Sequence, residues 1–368
     1  MQVLTVNTGS SSVRLALYER GEIGLRGCGS EHLGSEAGEP QARLRDFLDR
    51  HAHTQPRLAA HRVVHGGAIL TSTSRIDAAV EAEIERLAPL APLHNPAALA
   101  WIRACGKELG TDVPQMAVFD TAFYAQLPAV ASTYALPREL AARHGLRRYG
   151  FHGIAHQALW SRWRELRPDV PDGGRVVSFQ LGSGCSATAI HSGRPRDTSM
   201  GFSPLEGLMM ATRCGDVDAG LLLYLQRAEG MSPAQLDSLL NDASGLLGVS
   251  GLSGDMRELL VSDDPRAQLA VDLYCYRARK YIGAYLAVLG GADAILIGGG
   301  VGENAPAIRA QILRGLDWTG IRVDEATNAA ATGIEARISP DGGQPEVWVI
   351  PVDEAQLLAE EALAAAAM

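Results

Sequence analysis

Residues 3–6 are mostly apolar and strand-like, apolar and polar positions alternate along 13–18, and Asn7-Thr8-Gly9-Ser10-Ser11-Ser12 between them is wholly small and polar. That pattern predicts a β-hairpin with a small-residue tip. The stretch 27–56 reads as polar and irregular, with one short helix near 42–50. A strand then ends in His61-Arg62-Val63-Val64-His65-Gly66-Gly67, helices follow at 78–87 and 97–109, and a strand over Gln115–Phe119 ends in Asp120. The second half restarts the pattern: strand 175–179, the turn Leu181-Gly182-Ser183-Gly184-Cys185-Ser186, and strand 187–191. A long helix over Pro265–Leu289 precedes a buried strand at 294–297 and the turn Gly298-Gly299-Gly300-Val301-Gly302-Glu303-Asn304. Strand 347–352 is capped by Asp353, which opens an Ala-rich helix over 354–367. Strand-turn-strand with a small polar tip thus occurs twice, at 7–12 and 180–186. Two related α/β lobes facing each other account for this better than one long sheet does.

Composition narrows the chemistry. With 368 residues, 46% of them hydrophobic, the chain has material for two domains or one large one. A formal charge of −9 leaves no basic footprint for nucleic acid or an acidic membrane, so any anionic ligand needs a local cluster of cations. The five cysteines are scattered without CxxC or zinc-like spacing, which reads as reduced thiols in a cytoplasmic protein. No signal-like N-terminus and no membrane-length apolar run is present, so neither secretion nor membrane insertion is expected. Only Lys107 and Lys280 are lysines, and neither has the context of a P-loop or of a protein-kinase strand lysine.

Small residues at a hairpin tip let several backbone N–H groups converge on one anion. One Gly/Ser tip alone would be an ordinary turn. Two of them, with the glycine-rich loop 298–304 after a buried strand, make two phosphate loops and one nucleotide loop.

Asn7-Thr8-Gly9-Ser10-Ser11-Ser12, 61–67, Leu93-His94-Asn95-Pro96, Phe119-Asp120-Thr121-Ala122-Phe123 and Tyr149-Gly150-Phe151-His152-Gly153 resemble signatures of the acetate kinase family. So do Asp197-Thr198-Ser199-Met200-Gly201-Phe202, Leu205-Glu206-Gly207-Leu208-Met209-Met210 and 300–304, in family order from residue 7 to residue 354. The resemblance implies two duplicated actin-like (ribonuclease H-like) lobes with a cleft between them. A substrate and phosphate lobe would comprise 1–125 plus the C-terminal helix 354–368. A nucleotide-binding and dimerisation lobe would comprise 126–353, in a cytoplasmic homodimer. The implied reaction is direct in-line transfer, ATP + acetate ⇌ ADP + acetyl phosphate.

Residue roles follow from the same resemblance. Arg62 orients the substrate carboxylate and the transferring phosphoryl, and Arg213 stabilises the transition state. A guanidinium suits both tasks because its fork pairs bidentately with carboxylate or phosphate oxygens. His152 donates a hydrogen bond to the phosphoryl in flight, and His94 is a second, less essential histidine. Asp120 holds a magnesium-bound water or orients substrate; helix capping is an equally good reading of its position. Asn7 and Glu354 match the ligands of Mg²⁺, with Mn²⁺ as an alternative, although a glutamate in a first helical turn also complements the helix dipole. Ser10 and Ser12 belong to the first phosphate loop, and Arg14 stands where the family has a lysine. Gln180, Leu181, Gly182, Ser183 and Gly184 resemble the second phosphate loop. Asp255, Met256 and Arg257 flank the adenosine, as do Gly300, Val301, Gly302, Glu303 and Asn304. Val64, Leu93, Phe151 and Pro204 match the acetate methyl pocket.

The chain departs from the pattern at 180–186, where the family reads His-Leu-Gly-Asn-Gly-Ala-Ser, and this leaves phosphoryl-donor choice open between ATP and others such as pyrophosphate. Ala355 replaces an acidic residue, and the chain is shorter than its relatives near 27–56. Propionate kinase is the nearest alternative activity. A silent nucleotide-binding regulatory module is the alternative from another class.

Overall fold

The N-terminal hairpin forms as its alternation requires, with β1 (Gln2–Thr8) antiparallel to β2 (Ser12–Gly21). A computed structural model describes residues 1–9, 12–22, 24–34 and 38–367. It divides into two units, Met1–Ala125 with Phe151–Ala158 and Asp353–Met368, and Gln126–Gly150 with Leu159–Val352. The segment Phe151–Ala158, placed in 126–353 by the sequence reading, therefore packs with the first unit.

In the first unit β3 (Gly24–Gly34) continues the meander antiparallel to β2. The sequence reading had this stretch irregular, and the reason is physical. β3 is an edge strand, mostly exposed, so its residues carry no buried alternation and its polarity guards an unpaired edge. Helix Pro40–His51 starts earlier than expected, with proline in the first turn where its missing N–H costs nothing. β4 (Leu58–Val63), β5 (Ser74–Arg75) and β6 (Gln115–Phe119) complete a sheet of order β3-β2-β1-β4-β6-β5. β4 is parallel to β1 and β6 to β4, while β5 is antiparallel to β6.

Period-2 alternation sends neighbouring side chains to opposite faces, and both faces are covered. Val3, Tyr18, Ala60 and Met116 pack with Ala355, Leu358, Ala359 and Ala362 of the C-terminal helix Glu354–Ala366. Leu4, Val6, Leu15 and Leu17 pack with Leu44 and Phe47, and with Trp101 and Cys105 of helix Asn95–Leu109. The small alanines let the last helix lie close to the sheet, which brings Glu354 back to the first strand.

The second unit contains β7 (Arg175–Leu181), β8 (Cys185–His191), β9 (Arg194–Thr198), β10 (Ala294–Gly298), β11 (Ala336–Arg337) and β12 (Glu346–Val349). Its order, β11-β12-β10-β7-β8-β9, is the first sheet's order read from the other end. The directions match as well: β7, β8 and β9 form an antiparallel meander, β10 is parallel to β7, β12 to β10, and β11 is antiparallel to β12. The repeated hairpin is thus one part of a repeated six-stranded α/β fold. β12 stops short of the expected residue 352 because Pro351 has no N–H to donate, after a last bond from Ile350 N to Ile297 O. The expected turn 298–304 is a turn only at Gly299, whose φ is +81°; Gly300–Asn304 is one turn of helix. Helix Pro265–Leu289 runs as expected, from an Asp264 cap to a left-handed Gly290. Among the described residues, no helix is long and apolar enough to cross a membrane.

Candidate active site

In the first unit, β1, β4 and β6 end side by side, and ligands of open α/β sheets gather outside such carboxyl ends. Arg62 lies near the end of β4 and Asp120 immediately after β6. They form a bidentate pair, Nε to Oδ1 at 3.0 Å and Nη2 to Oδ2 at 2.7 Å. The remaining arm, Nη1, donates to Asn7 Oδ1 and to the Thr8 carbonyl, both at 3.3 Å. Asn7 Nδ2 in turn donates to Glu354 Oε2 at 2.6 Å. Burial works against the charge on Arg62, but the Asp120 and Glu354 carboxylates outweigh it and raise its pKa. One guanidinium facing two carboxylates leaves the cluster short of positive charge.

Asp120 does not cap the 3-10 turn Asp120–Tyr124 that it opens. Its side chain is 1% exposed, taken by Arg62 and by the His152 backbone N–H at 3.3 Å. His152 sits in the left-handed region at φ +56°, a strained place for a residue with a Cβ. A side chain at Gly153 would collide with the Asp120 carbonyl, so only glycine fits there. Tyr124 donates to the Phe151 carbonyl at 3.0 Å, closing 151–153 onto 120–124.

The turn after β4 is fixed by residues to which sequence reasoning gave no role. Buried Asn95 accepts from His65 N at 3.2 Å and donates to His65 O at 3.1 Å. Thr121 Oγ1 accepts from Gly66 N at 3.0 Å. Both lay inside quoted motifs, which was the available signal, but no periodicity separates a latch from a ligand. Of the expected methyl-pocket residues on this unit, Val64 and Phe151 are buried and Leu93 is 58% exposed. Half-buried His94 precedes helix Asn95–Leu109, its carbonyl accepting from Ala98 N at 2.9 Å. Ser12 opens β2, with Gly9 N donating to its carbonyl at 2.8 Å, and half-buried Arg14 pairs with Asn7 in the ladder. Ser10 lies outside the described residues.

Three buried histidines frame this unit's core. Burial pushes His61 and His65 down to about 4, and His156 well below its ordinary value. Gln115, with its amide turned to suit its neighbours, donates to His61 Nε2 at 2.7 Å and so favours the neutral ring. Unfolded histidine titrates near 6.5. Stability from these groups is therefore fully present above about pH 6.5 and lost as pH falls through the folded values near 4. At pH 5 His61 and His65 should together take up about two protons on unfolding, a slope of about 2–3 kcal/mol per pH unit, with His156 acting in the same direction. Denaturant midpoints measured from pH 7 to pH 4.5 check this; a flat profile contradicts it.

In the second unit the tip between β7 and β8 closes with Gly182 N on Gly184 O at 3.1 Å. Ser183 O accepts from Ala211 N at 3.0 Å. Gln180 pairs between Ser186 and Gly298, and its Oε1 is buried without a hydrogen-bond partner among the described residues. Leu181 is buried. Cys185 Sγ lies 3.2 Å from both Gly182 O and Tyr274 Oη. In the glycine-rich loop, Glu303 Oε1 accepts from Gly299 N at 2.9 Å and Val352 N at 3.2 Å, while Asn304 Nδ2 donates to Gly300 O at 3.0 Å. Gly302 is buried and Val301 half-buried.

Beneath that loop lies Arg309, a residue sequence reasoning passed over. It is 0% exposed, and its guanidinium donates to Gly302 O, Glu303 O, Asn328 Oδ1, Asn328 O and Ala331 O at 2.6–3.1 Å. Asp255 caps helix Met256–Leu260 and pairs with the exposed Arg257, which holds its carboxyl below the usual range. Met256 is buried in the core at 4% exposure. Arg213 is half-buried, its Nη1 donating to the carbonyl of half-buried Pro204 at 2.9 Å, and burial lowers its pKa.

Asn7 and Glu354 bring an amide and a carboxylate to a cluster lacking one positive charge, the amide turning its Nδ2 to Glu354 and its Oδ1 to Arg62, and this excess of negative charge suits a divalent cation. Among the described residues no group of three or more His, Cys, Asp or Glu gathers to cage a metal. A small set of protein oxygens, completed by phosphates and water, is how Mg²⁺ is held in phosphoryl-transfer sites.

The model of the acetokinase family matches residues 42–360. An acetate kinase of Chloroherpeton thalassium is 52% identical over 306 residues, covering 82% of this chain and 73% of its own. The crystal structure of Porphyromonas gingivalis acetate kinase aligns with a TM-score of 0.89 at 36% identity, covering 99% of both chains. A propionate kinase from Francisella tularensis aligns with a TM-score of 0.88 at 33% identity, also covering 99% of both. Sequence and fold agree along almost the whole length, and the chain belongs to the acetokinase family.

Proposed function

We propose that this chain catalyses ATP + acetate ⇌ ADP + acetyl phosphate, with Mg²⁺ as its metal. As a member of the acetokinase family it is a phosphotransferase with a carboxyl acceptor. The observation that carries the reading is the Arg62–Asp120 pair. Asp120 takes two edges of the guanidinium and leaves Nη1 on two contacts of 3.3 Å, long enough to be exchanged for a substrate oxygen.

Phosphoryl transfer is mainly positioning and neutralisation of charge. Arg62, aimed by Asp120, orients the acetate carboxylate. One acetate oxygen forms the new bond to the γ-phosphorus as the bond to the ADP oxygen breaks. His152, its backbone fixed by Asp120, donates to the equatorial oxygens, and Arg213 adds a second guanidinium. Asn7 and Glu354 would hold the metal, which when bound neutralises phosphate charge. Ser12, Arg14, Gly182, Ser183 and Gly184 receive phosphates, and 300–304 with Arg257 receives the adenosine. The retained adenosine loop favours ATP over pyrophosphate.

Mg-ATP, acetate and hydroxylamine should yield acetohydroxamate, and acetyl phosphate with ADP should yield ATP. Neither product appearing would end the reading, and ATP binding without turnover would favour a silent nucleotide-binding module. The likeness to a propionate kinase makes that acid the second reading. One methylene is worth about 1–3 kcal/mol in an apolar pocket, so kcat/KM for propionate should be lower by roughly 10-fold or more. A reversed ratio would exchange the two assignments.

We also propose a cytoplasmic homodimer. Helix Ala219–Ala228 buries none of its residues, and Leu221, Leu223 and Tyr224 are exposed on it, an apolar face suited to a second copy. The described cysteines are all unpaired, as in a reducing compartment. Light scattering that returns a mass near 39.1 kDa would refute the dimer.

A further inference from the structure

We infer that Glu206, gripped by Tyr134 and Arg148, is a positioning residue for Arg213. The inference rests on the role given to Arg213 above and concerns how this chain keeps that side chain in place.

Residues 199–218 connect β9 to helix Ala219–Ala228 without a strand or helix of their own. Twenty residues of irregular backbone are uncommon inside a folded domain and need side-chain anchors. Even so, Met200, Leu208, Met209 and Met210 of this segment are buried. Its first part is held by backbone bonds from Tyr149 N and Gly150 N to Gly201 O and by the Glu206 carboxylate. Tyr134 Oη donates to Glu206 Oε2 and at the same time accepts from Phe202 N at 2.8 Å. Arg148 Nη2 donates to Glu206 Oε1 at 2.5 Å, while its Nη1 donates to the Ser199 and Met200 carbonyls at 3.3 and 3.1 Å. Its Nε reaches Ala131 O at 3.3 Å. A side chain at Gly201 would collide with both the Glu206 carboxylate and the Tyr134 hydroxyl, so the backbone lies directly against the pair.

Glu206 therefore ties 199–202 to 206, and between these points lies Pro204. The Pro204 carbonyl is the acceptor of Arg213 Nη1 at 2.9 Å, and Met210 N donates to Arg213 O at 3.1 Å. The segment's far side is fixed independently. Gly207 N donates to Asp216 Oδ1 at 2.9 Å and Tyr281 Oη to Asp216 Oδ2 at 2.7 Å. Loosening Glu206 frees the Pro204 carbonyl, and with it the guanidinium; the nucleotide loop 182–184 meets this segment only beyond the Gly207–Asp216 tie, where Ala211 N donates to Ser183 O at 3.0 Å.

A misplacement of about 1 Å costs on the order of 10²-fold in rate. Tyr134→Phe and Glu206→Gln, which preserve shape, should each lower kcat roughly 10- to 100-fold while KM for ATP stays within about 2-fold of the parent. Because both break one link, the double variant should lose no more than the worse single one. Thermal melts run alongside should show Tyr134→Phe folded as the parent is. Unaltered kcat in both single variants, additive losses in the double, or a parallel rise in KM for ATP would each overturn the inference. A parent that makes no acetyl phosphate would instead sink the kinase reading and this inference with it.

Discussion

Exchanging Arg62 for leucine is expected to lower kcat by roughly 10²–10³-fold and stability by about 3–5 kcal/mol, two losses with separate causes. The kinetic loss follows from removing a fixed cation from developing phosphoryl charge. The stability loss follows from leaving Asp120, 1% exposed, with its partner gone. A second substitution separates them. Leucine at 62 with Asp120→Asn removes the orphaned charge, so most of the stability should return while kcat stays low. Arg62→Lys keeps the charge but not the fork that spans Asp120, and should fall between. Denaturant unfolding and initial rates on the four proteins decide the matter. A double variant no more stable than the single one would show that the pair is not the source of the loss.

Replacing Arg309 by leucine should cost about 3–5 kcal/mol and raise KM for ATP while leaving KM for acetate near its parent value. Burial pushes the Arg309 pKa down only to about 10, so the group is charged at neutral pH, held by carbonyl and amide oxygens alone. Leucine removes the cost of burying that charge but strands five accepting contacts, each worth about 1–3 kcal/mol when left unmade. The carbonyls win on number. In a domain of this size the expected fall in Tm is roughly 10 °C. The carbonyls of Gly302 and Glu303 are among those stranded, so the damage should centre on the loop assigned to adenosine. Equal changes in both KM values, or a melt matching the parent, would remove Arg309 from that role.

Much of this was open to sequence reasoning, and the misses share a cause. Buried strands such as β4, β6 and β10 were legible because burial imposes a pattern on the residues themselves. β3 was not, because an edge strand is defined by its neighbour β2 and leaves little trace in its own residues. Asp120 was balanced between capping and chemistry in sequence; two strands ending side by side gave it to Arg62. Glu206 stood in a recognised motif yet had no role, since Tyr134 is 72 residues away.

The amino-acid sequence alone determined what is local or repeated: the two small-residue hairpins, the buried strands, the scarcity of lysine that argues against a P-loop or a protein-kinase lysine, and the ordered family motifs. Only tertiary structure decided which charges meet. Pairings such as Asn7 with Glu354 join residues 347 positions apart. Local pattern records how each segment buries its own apolar face, whereas an ion pair or hydrogen bond depends on where separate segments come to rest.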